Sequence, residues 1–374
     1  MRMNRVSGTR GIRVVGWRRA LALGCMAVAA AVVAGACSAA PMPITPPKAA
    51  NPDIRTVPKP TNCSESLSDA NGAQQALDVA QPGDRLCIYG QYVQGASLKL
   101  QRSGTQQAPI HLLSDGSTFG GLEIRGDNVV VEGFNTNGGS GIKARGTNVI
   151  IRNNDVRGAA DDGIRCAPCV GSVVENNTVK DSDGSGIVIS GQRDVMRGND
   201  ISGSRRRTAT DADGARFFGV NHRIENNNVH DISQAGYPAG QTPHTDCFQT
   251  FDSDSPTTYG VVIQNNKCVN VDAQCLIASG TERHNAGVPA GVIAIQFVNN
   301  YCQSGASQAV NLEGYPNVLV KGNTFSSRYE AAVLAQEGAV DVRVADNILV
   351  GDFQAFDVDE KSKSGFQESN NRRK

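Results

Sequence analysis

Asn154-Asp155-Val156, Asn177-Thr178-Val179, Asn199-Asp200-Ile201 and Asn227-Asn228-Val229 repeat one pattern: an Asn, one residue, then an apolar residue. Four further copies follow as Asn266-Lys267-Cys268, Asn300-Tyr301-Cys302, Asn323-Thr324-Phe325 and Asn347-Ile348-Leu349. Each comes after a short β-rich run such as Asn148-Val149-Ile150-Ile151 or Asn317-Val318-Leu319-Val320. The interval is about 22–24 residues in plain stretches and longer where the chain carries insertions, a solenoid spacing. A repeat this short cannot bury its own apolar face, so neighbouring repeats must stack. Asn tolerates left-handed backbone angles and is expected where the chain turns sharply. Stacked coil upon coil, its amides would hydrogen-bond as a ladder. The pattern predicts an all-β chain, a single-stranded right-handed parallel β-helix with an asparagine ladder.

A second strand precedes each Asn strand. It reads Gly141-Ile142-Lys143, Gly163-Ile164-Arg165, Gly186-Ile187-Val188, Gly214-Ala215-Arg216, Cys247-Phe248-Gln249, Cys275-Leu276-Ile277 and Ala309-Val310-Asn311. Strand alternation sends Ile142, Ile164, Ile187, Phe248, Leu276 and Val310 inward. It sends Lys143, Arg165, Val188, Arg216, Gln249, Ile277 and Asn311 outward as one stacked column.

The 374 residues include 41 Gly and few aromatics, as an all-β solenoid would. The formal charge is zero, but the first 36 residues hold six Arg and no acid. The remainder therefore has 36 − 6 = 30 basic against 36 acidic residues, a mildly acidic balance that argues against a nucleic-acid partner. Residues 1–36 have the layout of an export signal: a basic region closed by Arg18 and Arg19, an apolar run over 20–33, then small residues before Cys37. The run is short for a transmembrane span. Ala34-Gly35-Ala36-Cys37 resembles a bacterial lipoprotein cleavage box, with Ala where Leu or Val is usual. That resemblance implies lipidation at Cys37 and anchoring to the outer face of the cell membrane; cleavage and secretion is the alternative. The Pro-rich segment 37–60 reads as an extended tether.

Ser68-Asp69 is suited to cap a short helix ending near Ala80, with Ala73, Ala76, Leu77 and Ala80 as its apolar stripe. This N-terminal capping helix would cover the open end of the solenoid. The opening through Gln107-Ala108-Pro109-Ile110 resembles that of pectate-lyase-like β-helix proteins, and the resemblance extends to about residue 358. The β-helix is placed at 61–360 and the polar stretch 361–374 is expected to be disordered.

The repeat register suggests the disulfides. Cys247 and Cys275 occupy equivalent positions in adjacent coils, as do Cys268 and Cys302. Adjacent strands lie about 4.8 Å apart, within the reach of a disulfide. The expected bridges are Cys247–Cys275 and Cys268–Cys302, with Cys63–Cys87 by elimination. Cys166 and Cys169 would close a local loop; a redox or metal pair is the rival reading. Pairing and export together indicate an oxidising compartment.

Before the outward column runs another stack: Asp162, Ser185, Asp213, Asp246, Gln274 and Gln308. Three coils read Asp-x-x-Arg or Asp-x-x-Gln, namely Asp162 to Arg165, Asp213 to Arg216 and Asp246 to Gln249, the last preceded by His244. Long loops enter this edge at 202–212, with Arg205-Arg206-Arg207, and at 233–243, with Tyr237. The opposite edge carries 252–259 and 281–290, the latter with His284. Loops on both sides of one face would wall a groove suited to a polysaccharide. His244-Thr245-Asp246-Cys247-Phe248-Gln249 resembles the His-x-Asp-x-x-Gln signature of bacterial β-helix proteins thought to act on polysaccharides.

In a hydrolytic reading, Asp246 and Asp213 form the acid/base pair, spaced roughly 5 Å as adjacent rungs, with His244 orienting them. Asp162, Arg165, Arg216, Gln249 and Lys143 would bind sugar. In a lyase reading, Asp162, Asp213 and Asp246 would hold Ca²⁺ and Arg216, Lys143 or His244 would take the proton. The third reading is a non-catalytic cell-envelope glycan-binding or scaffold protein, and in every reading the chain is expected to be a monomer. Against all three stands a plain alternative. Asp before Gly is a common turn residue, and surface Asp–Arg pairs are frequent and weak.

Overall fold

The computed structural model describes residues 59–89, 96–207, 211–252, 257–280 and 287–374. The export signal, Cys37, nearly all of the tether and His284 lie outside these residues. From Val149–Arg152 to Gln354–Val358 each coil has three strands, and each strand pairs in parallel with its counterparts in neighbouring coils. In one coil these are Ile164–Val170, Val173–Glu175 and Thr178–Lys180. They belong to a groove face, a broad face and a short face respectively. The broad face is a sheet of 13 strands. The groove and short faces join into one 20-stranded sheet through the long strand Asn135–Thr147, which pairs into both stacks. The architecture is the right-handed parallel β-helix that the Asn repeat predicts.

Inward residues of all three faces form one continuous core, including Ile142, Ile164, Ile187, Phe248, Leu276 and Val310, all fully buried. The outward column is in register from Lys143 through Arg165, Val188, Arg216, Gln249 and Ile277 to Asn311. Helix α1, Ala70–Val79, covers the N-terminal end. Asp69 caps it by accepting from the Gly72 N–H, and Ala73, Ala76 and Leu77 are buried beneath it.

The ladder lies at the corner between the broad and short faces. Asn154 donates from Nδ2 to Oδ1 of Asn177 at 3.0 Å, and the relay continues through Asn199, Asn227, Asn266, Asn300 and Asn323 to Asn347 at 2.9–3.1 Å per step. Each rung does more than bond its neighbour. Asn227 Oδ1 also accepts the Asn199 N–H, and its Nδ2 also donates to the Met196 carbonyl. The left-handed turn, however, falls one residue before the ladder Asn. Asn153, Asn176, Asn226, Asn265, Asn299, Asp346 and Asn370 have φ of 54–57°, and Gly198 and Gly322 take the same place. The turn residue and the amide that stacks are thus separate members of an x-Asn pair.

Two expectations are corrected. Residues 361–374 are ordered, as a further partial coil. Gln367–Ser369 pairs with Arg343–Ala345, Arg372–Arg373 pairs with Ile348–Val350, and Asn371 accepts from Asn347 as a ninth rung. Sequence reasoning missed it because Arg373 stands where the pattern wants an apolar residue. At the last coil that position is open to water, and Arg373 bonds Asp352 and the Phe353 carbonyl instead.

The second correction concerns cysteine. Cys63–Cys87 and Cys166–Cys169 form as expected. The stacked bridges Cys247–Cys275 and Cys268–Cys302 do not. Cys247 bonds Cys268, with Cα atoms 6.1 Å apart, and Cys275 and Cys302 are buried thiols. Stacking is as the register requires, since Cys268 and Cys302 are direct strand partners. Both stacked side chains point inward, however, and the bond spans the interior from groove-face corner to short face.

Candidate functional site

The Asp stack occupies the corner between the short and groove faces. Oδ1 of Asp162 accepts the Ser185 N–H at 3.0 Å. Oδ1 of Asp213 accepts the Asp246 N–H at 2.9 Å, and Oδ1 of Asp246 accepts the Gln274 N–H at 2.7 Å. Each carboxylate therefore caps the backbone of the next coil. Asp213 and Asp246 have no exposed surface and Asp162 is 5% exposed.

The second oxygens carry the electrostatics. Arg165 meets Asp162 Oδ2 at 2.8 Å, and Arg216 meets Asp213 Oδ2 at 2.7 Å. Arg216 also grips Asp211 Oδ2 at 2.5 Å and lies over the Phe251 ring. His244 Nδ1 is 3.3 Å from Asp246 Oδ2, and the His244 N–H donates to Asp211 Oδ1. Asp211, Asp213, Arg216, His244 and Asp246 thus form one network.

Burial pushes the Asp213 carboxyl up to about 7; the neighbouring Asp246 adds to this and Arg216 opposes it. Burial also raises Asp246, against the opposing pull of His244. The hydrogen bond to Asp246 raises His244 to about 9, so the imidazole is a cation at neutral pH. Its side chain is 55% exposed while its carboxylate partner is sealed below.

His244 borders a cleft of about 510 Å³ lined also by Gln234, Thr242, Asp272, Gln274 and Gln308. The loop around 233–243 forms one wall. Asp272 holds it by accepting from the Ser233 hydroxyl and the Gln234 N–H, both at 2.7 Å. Tyr237 ties it to the neighbouring insertion: its hydroxyl accepts the Arg206 N–H at 2.8 Å, and the Arg206 guanidinium lies over its ring. The cleft is at the edge of the groove face rather than over the middle of it.

The other expected residues fall apart from this centre. Lys143 pairs with Asp161 at 2.9 Å, and with Arg165, Arg145 and Glu123 it lines a separate hollow of about 200 Å³. Gln249 lies between Arg216 and Ile277 in the column. It is 5% exposed, and its Oε1 has no hydrogen-bond partner among the described residues. Asp211 and Phe251 escaped sequence reasoning. Asp211 stands two before Asp213, outside the Asp-x-x-Arg frame, and Phe251 stands two beyond Gln249 in the same strand.

Ca²⁺ takes six to eight oxygen ligands. In the Asp column, both oxygens of Asp162 and of Asp213 are taken by a backbone N–H and a guanidinium. This donor set does not fit Ca²⁺.

A family model described as "Right handed beta helix region" matches residues 89–209. No curated protein matches the chain. Among solved structures, the catalytic unit of a GH87 alpha-1,3-glucanase from Streptomyces thermodiastaticus is similar, with 11% identity, a TM-score of 0.57, and coverage of 85% of this chain and 70% of that one. PfbA, a surface adhesin of Streptococcus pneumoniae, has 10% identity and a TM-score of 0.47, over 83% of this chain and 90% of its own. Pectate lyase Pel9A has 14% identity and a TM-score of 0.39, over 83% and 78%. At these identities the likeness is one of fold: the chain is built as a right-handed β-helix, an architecture that hosts many functions.

Proposed function

We propose that the chain is an exported glycan-acting protein that hydrolyses a polysaccharide at the cleft beside His244, with the insertions as its walls. The observation that carries this reading is the exposed imidazole hydrogen-bonded to a sealed carboxylate at the mouth of that cleft. An imidazolium has a proton to give, which suits it to protonate a leaving glycosidic oxygen. β-Elimination instead needs a group that is free to take an α-proton, so the raised His244 favours hydrolysis. Within the trio that the sequence singles out, the roles are reordered. His244 meets the sugar, Asp246 holds its proton, and Asp213 with Arg216 sets the charge beneath. Arg165, with its side chain half-exposed, offers a cation further along the column. The glucanase likeness, though one of fold, is consistent with a carbohydrate substrate.

Purified protein is incubated with a panel of neutral and uronic polysaccharides, and new reducing ends and unsaturated products are read together. Reducing ends without unsaturation are expected, falling about 10²–10⁴-fold in His244→Gln. Unsaturated products, or full activity in His244→Gln, would overturn the assignment. A binding-only reading is favoured by one observation, the complete burial of Asp213 and Asp246 as backbone caps. It predicts glycan retention with no new ends. For export, a Cys37→Ala variant released from the membrane fraction into the medium would support the lipid anchor; unchanged partitioning would count against it.

A further inference from the structure

The contact that the Cys247–Cys268 bridge spans recurs in the three coils before it. In the three preceding coils its groove-face member is Gly163, Gly186 or Gly214, and its short-face member is Val179, Ile201 or Val229. A Cβ on those glycines would meet the aliphatic side chain at 2.3–2.4 Å. The two positions are therefore pressed together across the interior. In the next two coils the pair is Cys247 with Cys268, then Cys275 with Cys302. Phe248 is in register with Leu276, which places Cys247 level with Cys275, and Cys268 pairs directly with Cys302. Cys275 and Cys302 are both fully buried thiols, and Cys275 is close enough to act on the Cys302 thiol.

We propose that Cys275 and Cys302 are a fourth disulfide site, a second interior bridge one coil beyond Cys247–Cys268. The two thiols give up two protons and two electrons as the sulfur–sulfur bond forms. The oxidant is a disulfide, either a small one such as glutathione disulfide or that of a thiol oxidoreductase, reduced in turn to two thiols. One thiolate attacks it, a mixed disulfide forms, and the second cysteine displaces the reduced partner. Burial and the adjacent Cys275 push the Cys302 thiol up, which leaves little thiolate in the folded core. The bond therefore forms during folding, before the coils close. It fastens the backbone beside Gln274 to the short face, just as Cys247–Cys268 fastens the backbone beside Asp246. Two consecutive rungs of the column, Asp246 and Gln274, joined by the hydrogen bond from the Gln274 N–H to Asp246, would then rest on two stacked bridges. This inference is independent of the proposed function.

The test is disulfide mapping of the full chain, exported to an oxidising compartment or refolded with glutathione and its disulfide. The chain is unfolded without reductant, alkylated, and cleaved after Lys and Arg and before Asp. This puts the four cysteines on separate fragments, 246–251, 268–271, 272–283 and 284–321. The expected result joins 272–283 to 284–321 and 246–251 to 268–271, with no alkyl label on Cys275 or Cys302. In Cys302→Ser, Cys275 should gain one label while the other bridge is kept. Labelled Cys275 and Cys302 in the unmodified chain would overturn the proposal. So would the crossed pattern, 246–251 with 272–283 and 268–271 with 284–321.

Discussion

Two corners of the same coil solve the same problem in different ways. At both, side-chain oxygens accept backbone N–H groups from a neighbouring coil. The corner between the broad and short faces does this with a run of neutral amides. The corner between the short and groove faces uses buried carboxylates at Asp162, Asp213 and Asp246. An amide oxygen would accept the same bonds with no charge to desolvate, and burying an ion is costly unless it is paired. The second corner then needs Arg165, Arg216 and His244 as counter-charges. Backbone capping explains the oxygens there but not the charges. The charges are where a chemical role has to be sought.

The contrast can be broken by substitution. The largest effect is expected from Asn227→Ala, which strips the partners from the Asn199 N–H and the Met196 carbonyl. At about 1–3 kcal/mol for each buried group left unpaired, the loss is roughly 2–6 kcal/mol, read by denaturant unfolding. Asp246→Asn keeps an oxygen for the Gln274 N–H and removes only charge. Its stability should stay within about 1.5 kcal/mol of the parent, while glycan cleavage falls and the His244 imidazole, followed by NMR, titrates nearer its ordinary value. A loss as large as that of Asn227→Ala would mean that the two corners do not differ in kind.

Two smaller effects depend on pH. His244 has a folded pKa raised to about 9, above its unfolded value. Its stabilisation is therefore complete below about 6.5 and lost as pH rises through 9. Unfolding of the parent and His244→Gln, compared across that window, should converge at the alkaline end. Asp213 is raised to about 7. The folded state favours its protonated form, so stability from this group falls as pH rises from about 4 through 7. Asp213→Asn should gain on the parent over that interval, and a constant difference would refute the shift.

Much of this was legible in the sequence because periodicity encodes neighbours along the axis. The ladder Asn residues and the outward column from Lys143 to Asn311 follow from spacing, and the Asp69 cap follows from its residue type ahead of an apolar helical stripe. Contacts across the interior are not encoded that way. Cys247 has a cysteine above it and another opposite, and only the coil cross-section decides between them. The same blindness hid Asp211, which joins the site through Arg216 rather than through the repeat. The ladder also misled at one point: in Asn153-Asn154 two identical side chains do different jobs, and the left-handed turn belongs to the first.

The rungs of the asparagine ladder are evenly spaced in space but not along the chain. From Asn177 to Asn199 is 22 residues and from Asn227 to Asn266 is 39, yet the amide contacts are 3.0 and 2.9 Å. Closing the longer loop costs only about 0.5 kcal/mol more in chain entropy, less than a single buried rung is worth. Loop length at the other corners is thus nearly free to drift in evolution. A new wall can be tried at the cleft without moving its floor, and the ladder keeps the coils in phase while the surface above them is rewritten.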